Sequence, residues 1–489
     1  MRILTLTGRD KISNRELINR YSSLLEGVEI RLDLLAGDAG DPAEAAGAIL
    51  ETAREHGLSV VLSCRRRNDG GSWQGGEESR LSLLERALRA GVAYLDLEEE
   101  PAPPHSGVRR LEQRAERVGA RLIGSLHDFR HIPRDWEQRL QRISAAGRIP
   151  KLACTPEDFA AAAEMYRRLR RSHMPQEKIV LLMGPVGFFS RILYRRFGSL
   201  FTFVSDPART AMPWHPDPET LTRLYRAEQV DEDTPLYGVI GNPVHHSRSP
   251  QLHNRWLAAA GLPGTYLPFQ VEEAEPFFRF AEEAGVRGFS VTLPLKEKVL
   301  PLLDSVSSEV ERIGSCNTVV RSNGGWRGWN TDFSGFLAPL EGQLRKGRIR
   351  RVLIVGAGGV ARTAAAAVSE RGAELTVVNR TAEKARRLTA EFGGSWVPRE
   401  EAGHAGPFDL VVQTTSAGME PAIDEDPLPE YRFAGNELVY ELIYTPETTS
   451  FLSRALQAGC STLGGAGMLR AQAEEQFRLF TGRRAPPDA

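Results

Sequence analysis

The stretch "VEIRLDLL", residues 28–35, decides how the first half of the chain is read. It has the β-branched and aliphatic content of a strand, yet Glu29, Arg31 and Asp33 are charged residues at alternate positions. Side chains alternate across a strand, so the three charges share one face and Ile30, Leu32 and Leu34 share the other. An apolar face can pack on helices. The opposite, ionic face needs an enclosure in which charges are paired and used, because desolvating unpaired charges is costly.

Seven further apolar runs surround this one, and together they set the architecture. They are "ILTLT" (3–7), "LSVVLS" (58–63), "VAYLDLE" (92–98), "RLIGSL" (121–126), "IPKLA" (149–153), "IVLLM" (179–183) and "LFTFV" (200–204). Amphipathic segments separate them, such as "PEDFAAAAEMYRRLRR" (156–171), with proline in the first turn. Eight strand–helix units within residues 1–225 suit a closed (β/α)8 (TIM) barrel, which takes about 200–250 residues. Two open doubly wound sheets would use the same units, but no glycine-rich phosphate turn follows the first strand. Barrel interiors turn polar toward the C-terminal strand ends, where active sites lie. The inward charges of 28–35 are therefore read as functional, against a purely structural ion-pair network.

The remaining strand ends supply compatible groups. His127 in "SLHDF" is expected just past the fifth strand and Lys151 in "IPKLACT" within the sixth. Arg65 and Asp69 in "SCRRRNDGG" follow the third, and Arg191 in "MGPVGFFSR" lies in the loop after the seventh. Each residue alone is more often solvated or satisfied; together they fit one chemistry. An inward lysine amine condenses with a ketone to an iminium, which acidifies the adjacent C–H. A histidine removes that proton and then protonates a leaving hydroxyl, while arginines hold an anionic substrate.

These motifs, in this order, resemble type I 3-dehydroquinate dehydratase over nearly all of residues 1–215. The resemblance implies Lys151 as the Schiff-base lysine and His127 as general acid/base. It implies Glu29, Arg31, Arg65 and Arg191 as substrate-binding residues. Asp69 stands where that family has a glutamate supporting the histidine. After the eighth strand, "RTAMPWHP" (209–216) replaces the family's Ser-Ala-Pro-Gly-Gln closing segment, with Thr210 in place of the serine.

The acidic stretch "EQVDEDTP" (228–235) reads as a linker, with the boundary drawn at 226–235. Beyond it "RVLIVGAGGVARTAAAAV" (351–368) is a strand, a tight turn and a helix, with Gly356, Gly358, Gly359 and Ala361 matching G-x-G-x-x-G/A. Such glycines let the backbone approach a pyrophosphate at the helix N-terminus. At the end of the next strand, "LTVVNRTAEKA" (375–385) offers Asn379, Arg380, Thr381 and Lys384, and no carboxylate for a ribose hydroxyl. Cations there pair with a 2′-phosphate, so the expected cofactor is NADP(H) rather than NAD(H). Domain boundaries follow: a barrel at 1–225, a substrate domain at 236–345 plus 464–489, and a Rossmann domain at 346–463.

Upstream, Ser247 and Ser249 in "HSRSPQLHN" precede a helix, where a pair of hydroxyls serves as caps or as donors to a carboxylate. Thr292 and Lys296 lie in "FSVTLPLKEK", Asn317 in "CNTVV" and Asp332 in "GWNTDFSGF". A Lys–Asp pair beside a hydride site could pass the hydroxyl proton during carbonyl reduction. With "VVQTTSAGM" (411–419), "VYELIYTP" (439–446) and "GAGMLRAQ" (465–472), these segments resemble shikimate dehydrogenase across about 235–485. The resemblance implies Lys296 and Asp332 as the catalytic pair. Ser247, Ser249, Thr292, Asn317, Tyr444 and Gln472 would hold the substrate, and Thr415, Met419, Gly465 and Met468 would join the cofactor site. Ser290, Gln413 and Glu441 depart from that family's pattern.

The two halves make a chemical sequence, dehydration of 3-dehydroquinate and then NADPH reduction of 3-dehydroshikimate to shikimate, and their order resembles the fused enzyme of plants. Two other readings compete: a quinate/shikimate dehydrogenase with a structural first domain, and a non-catalytic NADP-binding sensor. Bulk properties agree with small-molecule chemistry. Of 489 residues, 41% are hydrophobic and 26% charged, and the net charge of −1 provides no field for nucleic acid or an anionic membrane. No apolar run reaches the roughly 18 residues of a spanning helix, and "MRILTLTGRD" lacks the pattern of a signal peptide. Four dispersed cysteines, with no metal-ligand spacing, suit a reduced, cytoplasmic, metal-free protein.

Overall fold

The computed structural model describes residues 1–35, 40–99, 106–171, 173–208, 214–323 and 325–487. The chain forms two compact units, Met1–Leu236 with Gly261–Val286, and Tyr237–Ala260 with Arg287–Ala489.

The first unit is a parallel barrel of β1 (Arg2–Leu6), β2 (Gly27–Arg31), β3 (Ser59–Ser63), β4 (Tyr94–Glu98), β5 (Arg121–Asp128), β6 (Ile149–Cys154), β7 (Ile179–Leu182) and β8 (Thr202–Val204). Pairing runs unbroken from β7 to β1 and on to β8. A single bridge, Lys178 to Ser199, joins the strands before β7 and β8, so the barrel is nearly closed. Helices between the strands follow local rules. Pro42–Glu55, for example, starts with proline, takes Asp41 as its cap at 3.1 Å, and buries Ala43, Ala46, Ile49, Leu50 and Ala53.

Alternation along each strand grades the interior from apolar to polar. Ile3, Val61, Ile123, Ile149 and Ile179 form one buried cluster. Two residues further along β5 and β6 come Ser125 and Lys151, neighbours across the two strands. Two more bring His127 and Ala153 to the C-terminal rim. Glu29, in register with Thr5, reaches the same polar layer and accepts from Thr5 and Ser63.

Two expectations for this unit change. The strand at 28–35 stops at Arg31, and Leu32–Leu35 is a helical turn, so strand alternation does not orient Asp33. Asp33 is nonetheless buried, accepting from Arg31 Nε at 2.9 Å and Nη2 at 2.6 Å, and from the backbone N–H of Arg65 and Ser72. Those four bonds hold the turn where a strand was expected. His127 lies inside β5 rather than past its end, because β5 pairs with β6 through Asp128 and Cys154.

The segment 228–235 does not hang free: Val230 and Thr234 are buried. β10 (Thr265–Gln270) and the helix Ala274–Ala284 pack on barrel helix Phe159–Leu169 through an aromatic cluster. Phe159 has Phe277 and Phe280 each at 5.3 Å between centroids, and Phe189 meets Phe280 at 4.5 Å.

The second unit contains two sheets. β9 (Leu236–Gly241), β11 (Val286–Val291), β13 (Thr318–Ser322), β14 (Gly325–Trp329) and β12 (Ser305–Val306) lie side by side in that order. The other is parallel throughout, from β15 (Arg351–Val355), β16 (Glu374–Val378), β17 (Ser395–Val397), β18 (Leu410–Gln413), β19 (Leu438–Glu441) and β20 (Ser461–Leu463). Its order β17-β16-β15-β18-β19-β20 is the 3-2-1-4-5-6 of a Rossmann fold, with a crevice at the reversal beside β15. The last helix, Ala466–Thr481, lies tightly on Thr331–Leu337: a Cβ added at Gly335 would come within 2.7 Å of Gln472 Cβ.

Candidate active sites

At the rim of the barrel a cavity of about 160 Å³ is lined by Glu29, Arg31, Arg65, His127, Lys151 and Arg191. Lys151 Nζ donates to Asp96 Oδ2 at 2.6 Å, with both side chains 3% exposed, and sits 4.5 Å from the centre of the Phe203 ring. The amine thus has a carboxylate neighbour, which strand-end reading had not placed there. Glu29 accepts from Thr5 Oγ1 (2.9 Å), Ser63 Oγ (3.0 Å) and Arg65 Nη2 (3.3 Å). Burial would raise the Glu29 and Asp96 carboxyls, but Lys151 and Arg65 hold both below the usual carboxylate range. Arg31 is bound to Asp33.

His127 differs from these paired groups. Neither ring nitrogen has a hydrogen-bond partner, and burial, followed by the fields of Arg65 and Lys151, pushes its pKa well below the ordinary value. It is a neutral imidazole in the same cavity as the amine, with both ring nitrogens unpartnered. Arg191 is fully enclosed in a short helical turn, Phe189–Ile192, rather than a loop. Burial lowers its pKa to about 10, and it pairs with no carboxylate among the described residues, donating to Phe203 O at 3.2 Å.

One expected partner is absent from this group. Asp69 bonds Arg66 Nε at 2.9 Å and does not reach His127. Its side chain is one methylene shorter than glutamate, and Arg66, three residues back, claims it across a single 3-10 turn. Thr210 lies outside the described residues. Asp96 and His215, which also belong to this site, were missed. The alternation that exposed 28–35 also runs through "YLDLE" and could have found Asp96.

In the second unit a cavity of about 170 Å³ gathers Ser247, Ser249, Thr292, Asn317, Tyr444 and Gln472 around Lys296 and Asp332. Lys296 Nζ donates to Asp332 Oδ2 at 2.5 Å, both side chains being about one-tenth exposed. Asp332 stands in the first turn of Thr331–Leu337, capped by Asn330. Asn317 is held from both ends, accepting the Thr331 N–H at 2.7 Å and donating to Thr331 Oγ1 at 3.0 Å. Gln476, also in this cavity, accepts from Ser290 Oγ at 2.7 Å. It lies one helical turn beyond Gln472, so i,i+4 spacing would have disclosed it.

The Rossmann crevice opens a third cavity, of about 210 Å³, lined by Gly356, Asn379, Arg380 and Thr415, with Arg399 as an unforeseen second cation. Gly356 has φ +116°, and a Cβ there would lie 2.3 Å from Thr414 Oγ1. Gly358 and Gly359 open the helix Gly359–Glu370. Other expected cofactor residues sit elsewhere. Ala361 is buried in the helix–sheet core, where its small size allows close packing. Thr381 precedes the helix Ala382–Phe392, its carbonyl bonded by Asn379 Nδ2 at 2.9 Å, and Lys384 is exposed on that helix. Met419 is 41% exposed and lines neither cavity, whereas Gly465 and Met468 line the substrate cavity. Val360, in the first turn of the dinucleotide helix, also lines that cavity, so nucleotide helix and Lys–Asp pair meet.

A barrel with a buried amine beside a neutral histidine, joined in one chain to a Rossmann oxidoreductase with a Lys–Asp pair, defines a two-headed enzyme. Comparison with known proteins identifies both heads. The family model for type I 3-dehydroquinase matches residues 3–232. Those for the shikimate dehydrogenase substrate binding domain, shikimate / quinate 5-dehydrogenase and the shikimate 5′-dehydrogenase C-terminal domain match 239–319, 341–431 and 465–489. A chloroplastic bifunctional 3-dehydroquinate dehydratase/shikimate dehydrogenase of Arabidopsis thaliana is 32% identical over 483 residues, covering 94% of this chain and 78% of that protein. Shikimate dehydrogenase (NADP(+)) of Moorella thermoacetica is 40% identical over 270 residues, covering 53% of this chain and 92% of that protein. The chain belongs to the bifunctional 3-dehydroquinate dehydratase/shikimate dehydrogenase family. It is an enzyme of the shikimate pathway with a lyase half and an oxidoreductase half. Among the described residues no helix is long and apolar enough to cross a membrane.

Proposed function

We propose that Lys151 attacks the ketone of 3-dehydroquinate and that His127 shuttles the proton of the elimination. The amine reacts in its neutral form, and Asp96, at 2.6 Å, holds it in place. Nζ then forms a C=N bond as the ketone oxygen leaves as water, and the imine nitrogen takes up one proton to become the iminium. His127, neutral and unpartnered, takes the proton from the carbon beside the iminium and returns it to the departing hydroxyl, which leaves as a second water. Hydrolysis of the imine frees Lys151 and 3-dehydroshikimate. Arg191, with its charge uncancelled, holds the substrate carboxylate; Glu29, Arg31 and Arg65 shape the rest of the pocket. The observation that carries this reading is the neutral His127 in one cavity with Lys151. Borohydride added with 3-dehydroquinate leaves a mass adduct on Lys151; an unmodified lysine overturns it.

The second half reduces 3-dehydroshikimate to shikimate. Its residues fit NADP(H): Gly356 keeps the turn open for a pyrophosphate, and Arg380 with Arg399 would hold the 2′-phosphate. When bound, NADPH supplies the hydride. Lys296 delivers a proton to the carbonyl oxygen and Asp332 aims that amine. Ser247, Ser249, Thr292, Asn317, Tyr444 and Gln472 orient the hydroxylated ring and carboxylate. NADPH consumption with 3-dehydroquinate as sole substrate requires both sites, and its absence refutes the coupled reading. We assign the activity to the cytoplasm, since the four cysteines are free and buried, as in a reducing compartment.

A further inference from the structure

The dehydratase cavity holds a second histidine that the chemistry above leaves unused. His215 Nε2 lies 2.7 Å from Arg191 Nη2. A guanidinium has only donors, so Nε2 is the acceptor and the imidazole is neutral, with its proton on Nδ1. Burial, then Arg191, push its pKa down to about 3, which agrees with that state. Its neighbours hold it in place. The Trp214 ring packs edge-on against Phe188 at 5.7 Å, and Pro216 O accepts from Ser205 N just past β8 at 3.3 Å.

The contrast with the other cations gives this contact its meaning. Lys151 is paired with Asp96, Arg65 with Glu29 and Arg31 with Asp33. Arg191 instead contacts two uncharged acceptors, Phe203 O and His215 Nε2. We propose that His215 is a positioning residue for Arg191, a neutral acceptor that aims the guanidinium at the substrate carboxylate without cancelling its charge. A carboxylate at 215 would orient Arg191 equally well but neutralise it. A glutamine would keep an uncharged acceptor. The inference rests on the reading of Arg191 as the carboxylate-binding group.

The test is steady-state dehydratase kinetics on the full chain carrying His215→Ala, His215→Gln, His215→Glu or Arg191→Ala, with shikimate reduction as the folding control. Losing one hydrogen bond to a charged group should raise KM for 3-dehydroquinate about 10-fold in His215→Ala, with kcat within about 3-fold. His215→Gln should restore KM toward the parent value, and His215→Glu should raise it beyond His215→Ala. An unchanged KM in His215→Ala beside a raised KM in Arg191→Ala overturns the role of His215 while leaving that of Arg191. An unchanged KM in Arg191→Ala overturns both. A His215→Gln variant as impaired as His215→Ala reduces the residue to packing, which also overturns the proposal. Should His215→Ala fail to fold, the opposed effects of glutamine and glutamate carry the test.

Discussion

Replacing Lys296 by methionine and Asp332 by asparagine, singly and together, tests whether the buried pair acts as one device. Nζ and Oδ2 are 2.5 Å apart and both side chains are about one-tenth exposed. Proton delivery by a positioned side chain is worth about 10²–10⁴-fold in rate, so Lys296→Met should lower kcat for reduction by that factor. Asp332→Asn removes the group that aims the amine, and its loss should approach the same size. If the two form a single proton-delivering unit, the double variant should be no worse than the worse single variant by more than about 10-fold, far short of the product of the separate losses. Stability should show the same coupling. Breaking a buried pair from one side costs about 3–5 kcal/mol because the remaining charge is uncompensated, and the double variant should recover much of it. The assay is NADPH oxidation with 3-dehydroshikimate, with NADPH affinity by fluorescence and thermal unfolding in parallel. Single losses that multiply in the double variant would mean independent roles and refute the reasoning.

Arg380→Ala should weaken NADPH binding by about 10- to 100-fold, the worth of a charge-assisted hydrogen bond, while leaving NADH affinity unchanged; an equal loss for both nucleotides would remove the 2′-phosphate assignment. Asp69→Ala should keep dehydratase kcat/KM within about 3-fold, because Asp69 serves a partly buried pair with Arg66 rather than His127; a drop of two orders would restore it as partner of His127. Glu441 is fully buried, and burial raises its pKa from 4.5 to about 7 despite bonds from Thr449 and Ile443. Its folded value exceeds its unfolded one, so the stability it contributes is full below pH 4.5 and lost as pH rises through about 7. At about 1.36 kcal/mol per pH unit, the loss is about 3 kcal/mol. Glu441→Gln should abolish that part of the slope in urea unfolding of the second unit between pH 5 and 8; an unchanged slope would place the titration elsewhere.

Much of the fold was legible because it depends on short-range rules. Two-residue alternation, proline at a first turn and glycines in a strand–turn–helix act within about ten residues, and they mark the barrel, the Rossmann unit and the charged strand-end residues of the first cavity, whereas Tyr444, Gln472 and Thr415 came only with the family resemblance. The same rules were enough to put Lys151 and Glu29 inside, and Lys296 and Asp332 on segments that could meet. Their limit is visible at Leu32–Leu35, where strand-like composition yields a helical turn because Asp33 is bound by Arg31, Arg65 and Ser72. The second limit is the pairing of charges. Which carboxylate each cation takes is set by strands and loops tens of residues apart, as with Lys151 and Asp96, or by competition between near equals, as with Asp69 between Arg66 and His127.

From the sequence alone came the two architectures, the chemistry of an inward amine and a histidine, and a nucleotide turn followed by cations. The tertiary structure decided which charges remain free. Three of the dehydratase cations are matched with carboxylates, and Arg191 is left with a carbonyl and an imidazole. It also packed the helix Ala274–Ala284 on the barrel helix Phe159–Leu169 through phenylalanines. The reason is range: secondary structure is written in neighbouring residues, whereas charge balance and packing partners depend on groups that folding alone brings together.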